Sequence, residues 1–171
     1  MPTAVIPTLT GSAFADAAAA RQALDMALPM IEAALPDPQV CGSGFLYVVI
    51  LDPALGPADA SFDAAVLLEH AVGDRNRWDA DYAAFARSKA SLAWRLGDGL
   101  ERVQGAEPHR LRAGETLLRG SVCLDGIVVG VSGAHPWFDE AFATAIAANL
   151  RAIAQSRHAA ARERQQLVAP G

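Results

Sequence analysis

The segment Phe45-Leu46-Tyr47-Val48-Val49-Ile50-Leu51, entered through Gly42-Ser43-Gly44, constrains the fold more than any other stretch. Aromatic and β-branched residues favour strand, and a run without a polar residue leaves neither face for water. It predicts a central strand covered on both sides. The chain must therefore supply apolar elements to two faces of a sheet.

Helical spacing supplies them. Ala17, Ala20, Leu24, Ala27, Leu28, Ile31 and Leu35 form one stripe between Ala13 and Leu35, with Ser12 as the expected cap, Pro29 as a kink and Pro36-Asp37-Pro38 as the stop. A second helix is predicted over Trp78 to Leu96, with Tyr82, Phe85, Ala86, Lys89, Ala93 and Leu96 in phase. A third runs from Pro136, through Phe138, Phe142, Ile146, Leu150 and Ile153, to about Arg162. Asp125-Gly126 between Thr116–Leu124 and Ile127–Ser132 predicts a hairpin. Phe62 to Ala71 reads as a strand or a short helix, with strand preferred for its Ala64, Val66, Leu68 alternation. Gly97 to Gly114, broken by Gly97, Gly99, Gly105 and Pro108, reads as a mobile surface loop.

The order helix, strand, strand, helix, hairpin, helix predicts an α/β fold of the α+β kind. Its antiparallel sheet of about four to five strands is flanked by helices in an α-β-α sandwich. A length of 171 residues fits a single domain over 1–171, with flexible ends at about 1–11 and 163–171. A net charge of -5 and an isoelectric point near 5.3 lack the basic footprint of a nucleic-acid binder. No apolar run approaches the ~20 residues needed to span a bilayer, and Met1 to Gly11 lacks the basic and apolar regions of a secretory signal, so a cytoplasmic location is expected. The apolar fraction of 52% predicts that other copies of the chain cover part of the surface. Cys41 and Cys123 fit no zinc spacing and read as buried thiols.

Two segments carry a resemblance: Tyr82-Ala83-Ala84-Phe85-Ala86-Arg87-Ser88-Lys89-Ala90, and the hairpin from Gly120 through Gly130-Val131-Ser132-Gly133-Ala134. Together they resemble the GlcG/HbpS-like, or haem-degrading domain, family. Lys89-Ala90 matches that family's helix pattern, Gly130 to Ala134 its V-S-G strand, and Asp139 or Glu140 its acidic position on the last helix. Leu118-Arg119-Gly120-Ser121 stands where the family has G-G-x-P. The resemblance implies a homo-oligomeric sandwich, with haem or corrinoid bound by some members and no activity assigned to many.

Candidate site residues follow from both readings. Lys89, Ser132, Gly133, His135 and Asp139 are the expected border of a ligand pocket, because the start of the last helix offers free backbone donors and a favourable dipole. His135, then His109, are the expected ligands should haem be the cofactor, since imidazole binds iron. His158 reads as an exposed helix residue. Arg102, His109, Arg110 and Arg112 gather positive charge suited to an anion. Trp78, Trp94 and Trp137 read mainly as packing residues. No Ser-His-Asp order, phosphate loop or HExxH pattern is present. The leading expectation is a homo-oligomer that binds a small ligand. The alternatives are an oligomeric scaffold without a ligand, and an enzyme acting on a small carbonyl or acid substrate through Lys89 or Asp139.

Overall fold

The computed structural model describes residues 11–164 and 168–170. Most of the segments expected to be flexible, 1–11 and 163–171, lie outside the described residues. The elements are helix α1 (Ala17–Ala34), strand β1 (Leu46–Leu51), the short helix α2 (Phe62–Ala65), β2 (Val66–Val72), α3 (Tyr82–Leu96), α4 (Leu100–Ala106), the hairpin strands β3 (Ser121–Leu124) and β4 (Ile127–Ser132), and the long α5 (Pro136–Glu163). The strands form one antiparallel sheet in the order β2-β1-β4-β3. Every residue of β1 is buried, as a central strand with both faces covered must be.

Side chains alternate across that sheet. Leu46, Val48 and Ile50 of β1, with Ile127, Val129 and Val131 of β4, pack under α1 and α5. Tyr47, Val49 and Leu51, with Val128, pack under α3. The sheet is thus a layer between two helices on one side and one on the other, an α+β sandwich. Among the described residues no helix is long and apolar enough to cross a membrane.

The structure corrects several expectations. Asp16, not Ser12, caps α1 by accepting from the Ala19 amide at 2.8 Å; Ser12 accepts from the Ala15 amide at 3.0 Å, making a turn of its own ahead of the helix. The ambiguous segment 62–71 contains both structures: Ser61 caps one helical turn, and Val66 then enters β2. The second helix begins at Tyr82 under an Asp81 cap, four residues later than its apolar spacing predicts. The predicted loop over 97–114 contains α4, anchored by buried Leu100 and Val103. Thr116 to Gly120 is not strand; β3 is the four residues next to the turn. That turn has Asp125 at φ 49° and Gly126 at φ 86°, the backbone a two-residue hairpin of this sequence demands. Cys41 is buried as expected, whereas Cys123 is half-buried.

Candidate functional site

Lys89 sits in the middle of α3, on the face turned to the sheet, and is 3 % exposed. A lysine so buried requires acceptors for its ammonium protons. Its Nζ donates to the Val131 carbonyl at 2.9 Å, to Ser132 Oγ at 3.1 Å and to Asp139 Oδ2 at 3.0 Å. These partners come from the end of β4 and the first turn of α5, so three elements converge on one nitrogen.

Asp139 completes the junction. It is 2 % exposed, and its Oδ1 accepts from the Ala134 amide at 2.9 Å. That bond ties the first turn of α5 back to the residue ahead of its N-cap, His135, whose own side chain caps no helix amide. Burial pushes the Asp139 carboxyl up to about 7, against the attraction and hydrogen bond of Lys89 and the amides of Ala134 and Gly133. Burial likewise pushes Lys89 down, against the same partner. Both directions express the cost of holding two charges away from water.

Above the pair lies an open cleft of about 270 Å³. Lys89, Ser132 and Asp139 form its polar floor, and Tyr82, Phe85 and Leu118 give it apolar walls. Tyr82 keeps its proton: its hydroxyl donates to Asp79 Oδ1 at 2.8 Å, and burial followed by that bond pushes it up to about 12. At the rim Arg119 is held by Glu140, with Nε–Oε1 3.1 Å and Nη2–Oε2 3.2 Å, and by Glu101 at 3.3 Å.

Gly120 packs closely against the ion pair and was not among the residues the sequence singled out for the site. Its φ of +124° suits glycine, and a Cβ there would lie 2.7 Å from Asp139 Cβ and 2.9 Å from Lys89 Nζ. The sequence held a further signal: of its 14 lysines and arginines, Lys89 is the single lysine. A chain that uses arginine at every other cationic position keeps at this buried one the side chain that can lose its proton.

Of the predicted site residues, Lys89, Ser132, Gly133 and Asp139 meet at the cleft, and His135 and His109 do not line it. The His135 ring bonds the Pro38 carbonyl through Nε2 at 3.1 Å and stacks on Trp137. His109 is exposed on the single 3-10 turn after α4. His158 is exposed and packs edge-on against Phe14. The expected basic loop is largely neutralised by its own acids: Arg102 pairs with Asp98 and Glu107, and Arg110 with Glu107 at 2.6 Å.

A haem does not fit this cleft. No histidine lines it, its tyrosine is a hydrogen-bonded phenol, and about 270 Å³ falls just below the ~300–1,000 Å³ of ordinary small-molecule pockets. Among the described residues no cluster of three or more histidines, cysteines or carboxylates is arranged to hold a metal ion. No family model, curated protein or solved structure matches the chain.

Proposed function

We propose that the protein is a homo-oligomeric small-ligand-binding protein whose ligand enters the cleft over Lys89 and Asp139. The observation that carries this reading is a buried ion pair placed at the floor of an apolar-walled cleft. Such pockets bind by apolar area and use a few fixed polar groups for orientation. Exposed Leu117 (76 %), Trp137 (64 %) and Met26 (55 %) favour an assembly, because large apolar side chains left in water are the ones subunit contacts cover. The size of the cleft favours a compact organic molecule over a tetrapyrrole.

A second reading has its own observation. All three Lys89 protons have acceptors, and both Asp139 oxygens have donors, so the pair is satisfied without a ligand and serves to lock α3, β4 and α5 together. Thermal shift against a panel of small carboxylates, aldehydes, ketones and haem separates the two, with light scattering on the same samples. A ligand that binds only the folded state raises the melting temperature, by an amount that grows with the logarithm of its concentration above Kd. A shift from a compact acid or carbonyl compound that disappears in Phe85→Ala supports the cleft. A defined oligomer that no compound stabilises leaves the scaffold reading.

A further inference from the structure

We propose that Lys89 is a carbonyl-reactive amine: its Nζ condenses with a small aldehyde or ketone held in the cleft, and Asp139 carries the protons. This rests on the ligand-binding reading of the cleft and names the chemical class of the ligand. Three observations on the geometry support it. Lys89 and Asp139 both line the cleft, so a bound carbonyl carbon can approach the nitrogen. Asp139 Oδ2 is 3.0 Å from Nζ, within reach of direct proton transfer. The apolar walls of Tyr82, Phe85 and Leu118 border an open site of about 270 Å³, a size matched to a small carbonyl compound.

The chemistry balances within these groups. The ammonium passes one proton to Asp139, and the neutral amine attacks the carbonyl carbon; the C–N bond forms as the C=O π pair moves to oxygen. A proton shift from nitrogen to that oxygen gives a carbinolamine. Asp139 then returns its proton to the hydroxyl, which leaves as water, while the nitrogen lone pair forms the iminium. The net change is ammonium plus carbonyl to iminium plus water, with no oxidant or reductant. Asp139 ends ionised, as counter-ion to the iminium. A desolvated lysine beside a proton acceptor is the arrangement such nucleophiles need, and the burial that lowers Lys89 favours the reactive neutral form.

The single lysine makes the test unambiguous. The whole protein is incubated at pH 7 with cyanoborohydride and either glyoxylate or butanal, which separate an anionic from a neutral carbonyl ligand, and the labelled peptides are mapped by mass spectrometry. The expected result is reductive labelling of Lys89 by at least one probe, at least about tenfold faster in the folded protein than in the same chain in guanidinium. The proposal also requires Asp139→Asn to slow labelling on the order of tenfold or more, with the folded state of the variant checked by circular dichroism. Labelling confined to the N-terminal amine, or slower at Lys89 in the folded protein than in the unfolded chain, overturns it. If the probes raise the melting temperature without labelling Lys89, the covalent step fails and the cleft reading stands; if neither occurs with these or any other compound of the panel, both fail.

Discussion

On one face of the sheet, Leu46, Val48, Ile50, Val129 and Val131 meet α1 and α5 in a layer built almost wholly of aliphatic side chains. On the other, Tyr47, Val49, Val128 and Ser132 from the same strands meet α3, a ring cluster of Phe45, Tyr47, Trp78 and Tyr82, and the nitrogen of Lys89. The first face is sealed by two long helices, the second by one of fifteen residues with the seven-residue α4 at its edge, where Leu100 joins the layer. Two helices can bury a face by hydrophobic area alone. The face with one helix is held by specific polar and aromatic contacts, and these leave a cleft where α3 meets the start of α5. The aliphatic layer and the cleft therefore lie on opposite sides of one strand pair.

The comparison breaks most readily at the ion pair. Asp139→Ala leaves the Lys89 ammonium buried without its counter-charge, and the expected loss is about 4 kcal/mol in urea unfolding. On the aliphatic face the corresponding deletion is Leu150→Ala, a fully buried side chain of α5, with an expected loss of about 3 kcal/mol through the cavity it leaves. A loss from Leu150→Ala well above that from Asp139→Ala would mean that the polar junction is peripheral to stability. Gly130→Ala comes next, at about 2 kcal/mol. Its Cβ would meet the Ala86 carbonyl at 2.7 Å and Ala90 Cβ at 2.8 Å, so α3 must move off the sheet.

The two faces also differ in how legible they are in the sequence. The aliphatic face is written in spacing: the stripe of α1, the continuous run of β1 and the phase of α5 each give their element. The Asp125-Gly126 turn fixes the pairing of β3 with β4. The α3 face is less legible because its contacts are long-range. Nothing local ties Lys89 to Ser132, 43 residues on, or to Asp139, 50 residues on; the family-like segments brought these residues together only as a pattern. The pattern also drew in His135, which sits beside the V-S-G turn in sequence but turns its ring to the Pro38 carbonyl. In α4 the glycines that suggested a loop lie at its cap and exposed side, while Leu100 and Val103 anchor it.

A gentler probe of the same contrast is pH. The Asp139 carboxyl lies at about 7 in the folded protein against an ordinary 3.8, so between those values the folded state holds the extra proton. Stability from this group is greatest at the acid end of the interval and declines as pH rises through it, the reverse of an ordinary paired carboxylate. Lys89, lowered by burial, contributes with the opposite slope at alkaline pH, up to its ordinary value of 10.5. Urea unfolding of the wild type at pH 4 to 7, referenced to a variant lacking the pair, should show the decline; a rise with pH would mean that the Lys89 attraction outweighs burial.

That reference variant carries the smallest predicted effect. Lys89→Met with Asp139→Leu removes both charges and fills similar volume, and its expected stability lies within about 1 kcal/mol of the wild type, far from either single substitution. The two-charge arrangement costs desolvation, which the attraction between the charges and their hydrogen bonds to Val131, Ser132 and Ala134 oppose. A double variant as stable as the wild type therefore makes the ion pair unnecessary to the fold. Loss of cleft ligand binding in that stable variant then assigns the pair to the ligand. A double variant as unstable as Asp139→Ala instead makes the polar contacts the fastening of the one-helix face, and the contrast between the two faces becomes one of stability alone.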